Sequence, residues 1–182
     1  MKIVVEDDYL DKEQFDGLQT FILSGECGWF WNEDIDYKGA GKDTFQFTHT
    51  FYRNNCPCSD HYDKLWAVIE KLNGDNPLRG FSGGIMLSRI KANLLTRTPK
   101  IVQNDYHCDL DPSLPDKKLK QLTTSVFYIN TNNGFTEFED GKIVESVANR
   151  ILSFPTNLQH RGSSCTDEKR RVLINFNYFQ PK

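Results

Sequence analysis

The order of apolar and polar residues along the chain changes from a helical period to a strand period near residue 85. From Leu10 to Ser24, apolar side chains recur every three or four positions, which is typical of a helix with one buried face. A second helix is predicted from about residue 59 to Asn73, because apolar residues again recur at helical spacing. From Ile85 onward almost every segment favours a strand. The sequence therefore predicts two helices before a β-rich core.

Short apolar runs separated by turn residues predict the strands. Two are expected early, at residues 3–5 and from Thr44 to Tyr52, where apolar residues alternate with polar ones. The later strands are predicted at Ile85–Thr96, Ile101–Leu110, Thr123–Asn130, Phe135–Glu139, Ile143–Val147, Arg150–Phe154 and Arg170–Phe179. The expected fold class is mostly β with flanking helices (α+β), as a two-sheet sandwich or jelly roll.

Composition narrows the class of protein. The 182 residues suffice for one domain, and 38% hydrophobic with 26% charged residues is a globular composition. A formal net charge of -3 gives no field for a polyanion, which disfavours nucleic acid as a partner. No apolar run approaches the roughly 20 residues that a membrane span needs, so we expect no membrane partner and a cytoplasmic location. Five irregularly spaced cysteines are expected to be reduced thiols.

The segment Tyr106–Leu110 carries the clearest candidate chemistry. On an extended segment His107 and Asp109 project to the same side, because side chains alternate along a strand. An imidazole and a carboxylate form part of the 2-His-1-carboxylate arrangement of non-heme Fe(II) sites, and His160 is the candidate second imidazole. Each of these residues alone also fits an ordinary structural role. Their order along the chain predicts a metal site.

With Arg170 included, the order His107-x-Asp109, His160, Arg170 resembles the Fe(II)- and 2-oxoglutarate-dependent oxygenases, and more closely their prolyl 4-hydroxylase-like branch. Two further segments are similar to motifs of that branch: Thr124 to Asn130 resembles its Thr-x3-Tyr-Leu-Asn, and Asn133 to Phe138 resembles its Gly-Gly-x-Thr-x-Phe, with asparagine in place of the first glycine. The resemblance covers about residues 85–179. It implies a double-stranded β-helix (jelly roll, cupin-like) with helices of about residues 8–74 packed on it, in one domain of residues 1–182.

The resemblance also implies which groups the site binds. His107, Asp109 and His160 would hold Fe(II), and 2-oxoglutarate and dioxygen would be co-substrates, with ascorbate as a candidate reductant. The expected reaction is hydroxylation of an unactivated C–H bond, with release of succinate and carbon dioxide. No residue beyond the metal ligands needs to act as acid, base or nucleophile, since cofactor chemistry leaves binding and orientation to the protein.

The contacts to 2-oxoglutarate are also carried over from the resemblance. Its distal carboxylate would bind Arg170, and Tyr128 and Thr124 would contact the co-substrate. Arg171 is an alternative to Arg170, because neighbouring residues on a strand face opposite ways and the sequence does not determine the register. Tyr128 equally fits a core tyrosine whose hydroxyl meets a backbone group.

The substrate is left open by the sequence. A prolyl or other side chain in a polypeptide is our first hypothesis, and a free amino acid or small metabolite is the alternative. Halogenation is disfavoured because Asp109 occupies the position that a halide needs, and a jelly-roll module without catalysis is the non-enzyme alternative. Selection is expected from loops before residue 85 and from Leu110–Leu122, a candidate flap rich in lysines. The sequence does not determine the oligomeric state.

Two other groups of residues have candidate roles. Cys56, Cys58 and His61 resemble a fragment of a zinc site, yet a closed structural site needs a fourth ligand and no second Cys/His pair follows. Arg89, Lys91 and Asn93 share one face of a predicted strand. These three residues fit either the rim of a cleft or a face turned to solvent.

Overall fold

The computed structural model of the chain describes residues 3–35, 45–74, 84–109 and 120–179. The first part contains β1 (Val4–Glu6), α1 (Lys12–Leu23), β2 (Phe30–Asn32), β3 (Gln46–Arg53), β4 (Cys56–Pro57), a 3-10 turn (Tyr62–Leu65) and α2 (Trp66–Gly74). The second part contains β5 (Met86–Thr96), β6 (Leu122–Tyr128), β7 (Phe135–Phe138), β8 (Ile143–Glu145), β9 (Ile151–Pro155), β10 (His160–Gly162) and β11 (Arg170–Phe179).

The strands form two antiparallel sheets. The larger sheet has the order β1-β9-β6-β11-β5-β3-β2, with β4 paired to β3, and the smaller has the order β10-β7-β8. Apolar side chains from both sheets, including Val126, Phe138 and Leu173, pack into one cluster. The predicted class, mostly β with flanking helices in a jelly roll, is confirmed.

Helix α1 covers one face of the larger sheet. It begins at Asp11, whose side chain accepts a hydrogen bond of 2.9 Å from the backbone N–H of Gln14. The buried stripe of α1 joins Phe127 of β6 and residues of α2 in the main hydrophobic cluster. The ring of Phe15 meets that of Phe127 edge to face at 5.9 Å between centroids.

Strand β11 lies in the middle of the larger sheet and divides the molecule into two sides. It pairs with β6 on one edge and with β5 on the other. Because side chains alternate along a strand, Ile174 and Phe176 face the helix side, and Leu173 faces the space between the sheets. A polar residue on β11 therefore faces the helices or the interior according to its position in this alternation.

One predicted strand does not form, and one observed strand near the candidate ligands was not predicted. No regular strand forms over the described part of Ile101–Leu110, where Gln103 and His107 make only single bridges to Ser163 and His160. Leu110 and most of the predicted flap lie outside the described residues. The short strand β10 was not predicted, because its three residues carry no clear apolar alternation. Within the described ranges, no helix has both the length and the apolar character needed to cross a membrane.

Candidate metal centre

His107, Asp109 and His160 converge at one end of the space between the sheets. One potential ligand atom from each lies within 4.8 Å of the others, and no other group of three such residues occurs in the described ranges. His160 Nε2 lies 3.9 Å from Asp109 Oδ1, and the two imidazole centroids are 4.9 Å apart. The structure thus brings together three residues that are distant along the chain.

The backbone explains why the two histidines meet. The N–H of His107 donates to the carbonyl of His160 at 3.0 Å, and the N–H of His160 donates to the carbonyl of His107 at 3.0 Å. Residues directly opposite each other in an antiparallel pair project to the same face. This single bridge therefore orients the His107 side chain toward His160, a role that the sequence analysis had assigned to a regular strand.

Both imidazoles present the same nitrogen to the centre. His107 Nδ1 lies 3.1 Å from the carbonyl of Asp105, and His160 Nδ1 lies 3.1 Å from the carbonyl of Leu158. A carbonyl only accepts, so each Nδ1 carries a proton, which leaves Nε2 as the nitrogen able to bind a metal. Burial lowers the pKa of His160, an effect that Asp109 opposes, and so favours the neutral form that binds metals.

Asp109 is buried and held as a carboxylate by its neighbours. The side-chain amides of Asn175 and Asn177 donate to its two oxygens at 3.1 and 3.3 Å, and Arg89 lies 3.6 Å away. Burial raises the pKa of Asp109, but the electrostatic effects of the neighbouring His160 and Arg89 outweigh burial and lower it to about 2. The carboxylate is therefore ionised at neutral pH and fixed in orientation, as a metal ligand must be.

The donor set fits a divalent transition metal with open coordination positions. Two imidazole nitrogens and one carboxylate match the 2-His-1-carboxylate set of non-heme Fe(II) sites. The side-chain oxygens of Asn93 and Asn175, both in the lining of the adjoining cleft, are buried without a hydrogen-bond partner. Buried polar atoms rarely stay unpaired, so these acceptors fit a site that takes up water or a ligand.

A buried arginine lies in the same cleft. Arg171 is 1% exposed and lines the cleft that adjoins the cluster, together with His107, Asp109 and His160. We call this the inner cleft. Its guanidinium donates to Ser146 Oγ at 2.8 Å and to Thr136 Oγ1 at 3.2 Å. No carboxylate of the described residues comes within ion-pair distance of it. A buried charge without a partner is costly, so Arg171 is a strong candidate to bind an anion.

Two glycines give this arginine its space. A Cβ on Gly134 would lie 2.6 Å from Arg171 Cδ and 2.8 Å from the carbonyl oxygen of Ser164. A Cβ on Gly162 would lie 3.3 Å from Arg171 Nη1. The glycine in the segment Asn133 to Phe138 is thus needed for close approach of the arginine side chain.

The other residues predicted to contact 2-oxoglutarate do not line the cleft that contains Arg171. Arg170 points to the helix side, where its guanidinium donates to the carbonyl of Leu23 at 2.6 Å, and it does not line the cleft. The Tyr128 hydroxyl donates to Thr136 Oγ1 at 2.8 Å and so shares a partner with Arg171. Thr124 accepts from the Asn177 amide at 2.9 Å, behind Asp109. The structure brings neither Tyr128 nor Thr124 into the cleft lining.

Sequence reasoning missed the asparagines that hold Asp109. The signal was present, since Asn175 and Asn177 are polar residues at alternate positions of an otherwise apolar strand. Such a pattern indicates a polar site on one face of the strand. Thr136, which helps to fix Arg171, is the threonine of the segment that resembles Gly-Gly-x-Thr-x-Phe, whereas Ser146, its other partner, gave no comparable signal.

A second, outer cleft adjoins the cluster. It shares Ile35, Lys91, His107 and Asp109 with the inner cleft, and it is completed by Asn32, Asp34 and Arg89. Arg171 lines only the inner cleft and Arg89 only the outer one, so the two clefts meet at the cluster. Burial and the charge of Arg89 lower the pKa of Lys91 to about 8, and Asp109 opposes this shift.

The candidate zinc fragment does not form a ligand cluster in the described structure. The thiols of Cys56 and Cys58 are exposed and both lie near the carbonyl oxygen of Arg53, at 3.6 and 3.7 Å. The ring of His61 packs on Phe21, with centroids 4.8 Å apart. This histidine is thus part of the contact between the 3-10 turn and α1.

Comparison with solved structures identifies the fold, whereas no protein-family model and no curated protein matches the sequence. A 2OG-Fe(II) oxygenase family oxidoreductase from Burkholderia pseudomallei is 11% identical, with a TM-score of 0.64 over 97% of this chain and 84% of that one. HygX from Streptomyces hygroscopicus, with nickel and 2-oxoglutarate bound, is 10% identical, with a TM-score of 0.64 over 97% and 82%.

A viral collagen prolyl hydroxylase from Paramecium Bursaria Chlorella virus-1, in its 2OG complex, also matches. It is 14% identical, with a TM-score of 0.56 over 100% of this chain and 97% of that one. Each match spans nearly the whole chain, including the helices before the jelly roll. The chain therefore has the double-stranded β-helix fold of the Fe(II)- and 2-oxoglutarate-dependent oxygenases, including those of the prolyl hydroxylase type.

Proposed function

We propose that this protein is an Fe(II)- and 2-oxoglutarate-dependent dioxygenase that hydroxylates an unactivated C–H bond of its substrate. One observation carries the proposal: a buried arginine, with no carboxylate partner among the described residues, lies in the same cleft as two histidines and an aspartate that converge. A metal site alone would fit many functions. The added cation in the same cleft fits a co-substrate that chelates the metal at one end and carries a carboxylate at the other.

The roles follow from the contacts. His107, Asp109 and His160 would hold the Fe(II), each through the atom that its hydrogen bonds leave available. The metal would supply activation of dioxygen coupled to oxidation of 2-oxoglutarate to succinate and carbon dioxide. Arg171, in place of Arg170, would bind the distal carboxylate, because a planar guanidinium pairs a carboxylate through two parallel hydrogen bonds.

The remaining residues of the inner cleft orient and shield these groups. Thr136 accepts from both Tyr128 and Arg171 and so fixes the guanidinium. The apolar side chains of Val126 and Leu173 line the cleft beside the cluster and exclude water. Exclusion of water strengthens the electrostatic contacts made inside the cleft.

The substrate hypothesis is a prolyl or other side chain in a polypeptide, with a free amino acid or small metabolite as the alternative. The fold is compatible with both, since the proteins that share it include prolyl hydroxylases and an epimerase from nogalamycin biosynthesis. We also propose one domain, in which the helices pack on the jelly roll. The shared hydrophobic cluster of α1, α2, β6 and β11 supports this arrangement.

The proposal is tested by aerobic incubation with Fe(II) and 2-oxoglutarate, with succinate as the readout. Wild-type protein should release succinate in an iron-dependent manner, and addition of substrate should increase the rate. Asp109→Ala should abolish release, because it removes a metal ligand and leaves two imidazoles. If the wild-type protein binds no iron and forms no succinate above the Asp109→Ala background, the alternative of a non-catalytic binding module is favoured.

A further inference from the structure

The outer cleft contains a cation that the metal and the co-substrate leave unused. Lys91 is half-buried on β5 and lines this cleft together with Arg89. We propose that Lys91 binds a carboxylate group of the primary substrate and thereby places a neighbouring C–H bond at the metal. This inference rests on the proposed function and specifies the chemical class of the substrate.

Within the described part of the chain, Lys91 differs from Arg89 in having no side-chain partner of its own. Arg89 donates through Nε to Asn177 at 3.0 Å and lies 3.6 Å from Asp109, so it belongs to the support of that carboxylate. Among the described residues, Lys91 makes no side-chain hydrogen bond and has no acid within ion-pair distance. Its ammonium group can donate three hydrogen bonds to a ligand.

The charges around the cluster point to an anion. A divalent ion and a dianionic co-substrate would cancel each other's charge. Three cations then face the clefts, Arg171, Arg89 and Lys91, against the buried carboxylate of Asp109 and the exposed one of Asp34. One positive charge is left over, which a single substrate carboxylate would neutralise. A half-buried ion pair of this kind is stronger than one in water, because the local dielectric constant is lower.

Lys91 lines both clefts, whereas Arg171, the residue proposed to bind the co-substrate carboxylate, lines only the inner one. The outer cleft shares His107 and Asp109 with the inner cleft but is lined by neither His160 nor Arg171. A substrate carboxylate on Lys91 would thus lie across the cluster from the distal carboxylate of 2-oxoglutarate. A prolyl ring in a neutral peptide offers no anion to this site, whereas a free amino acid or an acidic side chain does.

The test uses full-length protein loaded with Mn(II) and 2-oxoglutarate, so that binding is measured without turnover. Two sets of probes are compared by calorimetry: free L-amino acids with their α-amides, and blocked peptides containing aspartate or glutamate with their asparagine or glutamine counterparts. We expect a carboxylate probe to bind at least about tenfold more tightly than its amide, because removal of one member of a desolvated ion pair costs at least that factor. The two sets distinguish a free amino acid from an acidic residue in a polypeptide.

Variants assign the effect to Lys91. Lys91→Met should weaken the carboxylate probe by about tenfold or more, and Lys91→Arg, which keeps the cation, should retain most of the binding. Lys142→Met is the matched control, since Lys142 is exposed and lies in neither cleft. It should bind the probe as the wild-type protein does.

Three results would overturn the inference. The first is equal binding of carboxylate and amide probes, and the second is no binding by any carboxylate in either set. The third is a Lys91→Met variant that loses affinity for 2-oxoglutarate as much as Arg171→Met does, which would place Lys91 in the co-substrate site. Failure of the proposed function is seen separately, as absence of 2-oxoglutarate binding to the wild-type protein before any probe is added.

Discussion

Two adjacent arginines at the start of β11 have opposite environments. Arg171 is buried beside the metal centre, whereas Arg170 donates to a carbonyl at the end of α1. Their charge and composition are the same, so the sequence could not choose between them. A shift of one residue in the register of β11 would exchange the two arginines. The register is fixed by pairing with β5 and β6.

This difference gives the first prediction. Arg171→Met should weaken 2-oxoglutarate binding to the Mn(II)-loaded protein by roughly 30-fold or more, because it removes one member of a desolvated ion pair. Arg170→Met should leave that binding within about twofold and lower the free energy of unfolding by about 1 kcal/mol, the net value of a typical hydrogen bond. Calorimetry and urea unfolding measure the two effects. The opposite pattern would restore Arg170 as the carboxylate partner.

A second prediction concerns Cys27, which is 3% exposed. Burial raises the pKa of Cys27 from 9.0 to about 11, so the folded chain keeps this proton at a pH where the unfolded chain has lost it. The stability contributed by the protonated thiol is thus complete below pH 9 and is lost as the pH rises toward 11.

Urea unfolding between pH 8 and pH 10 should therefore show a steeper loss of stability for the wild-type protein than for Cys27→Ala. Tyr178, whose pKa burial raises from 10.0 to about 12, contributes the same pH dependence to both proteins, so the comparison removes its effect. Parallel curves for the two proteins would show that the thiol is more hydrated than its exposure indicates.

At the scale of the element, the positions of regular strands could be predicted from the sequence, whereas the positions of isolated β-bridges could not. β5, β6 and β11 were expected within a few residues of their observed bounds, because long alternating or apolar runs carry a strong signal. The segment around His107 was expected to be a strand, and it is held instead by two isolated bridges. Such bridges depend on which distant residue lies opposite, and local sequence does not contain this information.

The same limit applies to Thr124 and Tyr128. Their shared parity on β6 was predicted, and both are buried, but the hydrogen bonds of Thr124 go to Asn177 and Thr156. The parity of a residue fixes the face of the strand on which it lies. The neighbouring strands determine how far along that face the cleft extends, so direct contact of these two residues with a co-substrate stays a prediction.

The third prediction concerns the connection between the segment before α1 and the jelly roll. Asn149 has a positive φ of 62° and its side chain pairs with both backbone groups of Leu10, at 2.9 and 2.8 Å. Asn149→Ala should lower the free energy of unfolding by about 2 to 4 kcal/mol, because it leaves a buried donor and acceptor unpaired and places alanine at positive φ.

A matched control isolates the backbone part of this effect. Asn55 has the same φ of 62° but is exposed, in the turn between β3 and β4. Asn55→Ala should cost only about 1 to 2 kcal/mol, the strain of the left-handed conformation. Equal losses in urea unfolding for the two variants would mean that the paired amide of Asn149 adds nothing.

At the scale of the whole molecule, the fourth prediction is that metal binding stabilises the folded chain. The three potential ligands come from two segments that are joined by a few backbone hydrogen bonds, including the pair between His107 and His160. An ion that binds only the folded state at about 100 times its dissociation constant adds about 2.7 kcal/mol. Mn(II) should therefore raise the melting temperature and EDTA should reverse the shift. An equal shift in Asp109→Ala would place the ion elsewhere.

The overall architecture was more predictable than the site. Helices followed by many short strands implied a two-sheet sandwich or jelly roll from patterning alone, and the jelly roll agrees with solved structures of only 10 to 14% identity. Alternation of apolar and polar residues can survive replacement of nearly every residue, which is why fold persists at such distance. The clefts depend on particular side chains, such as Asn175 and Lys91, whose roles appear only when distant segments are brought together.

Strand β11 contributes side chains to both faces of the larger sheet, and this restricts the changes in length that the gene can tolerate. This strand supplies Arg171, Asn175 and Asn177 to the interior while Arg170, Ile174 and Phe176 serve the helix side. Insertion or deletion of one codon within it would reverse the alternation for all residues on one side of the change, and the contacts of those residues would be lost. Related genes should consequently vary here by substitution only, and changes in length should collect in exposed turns such as the one at Gly141.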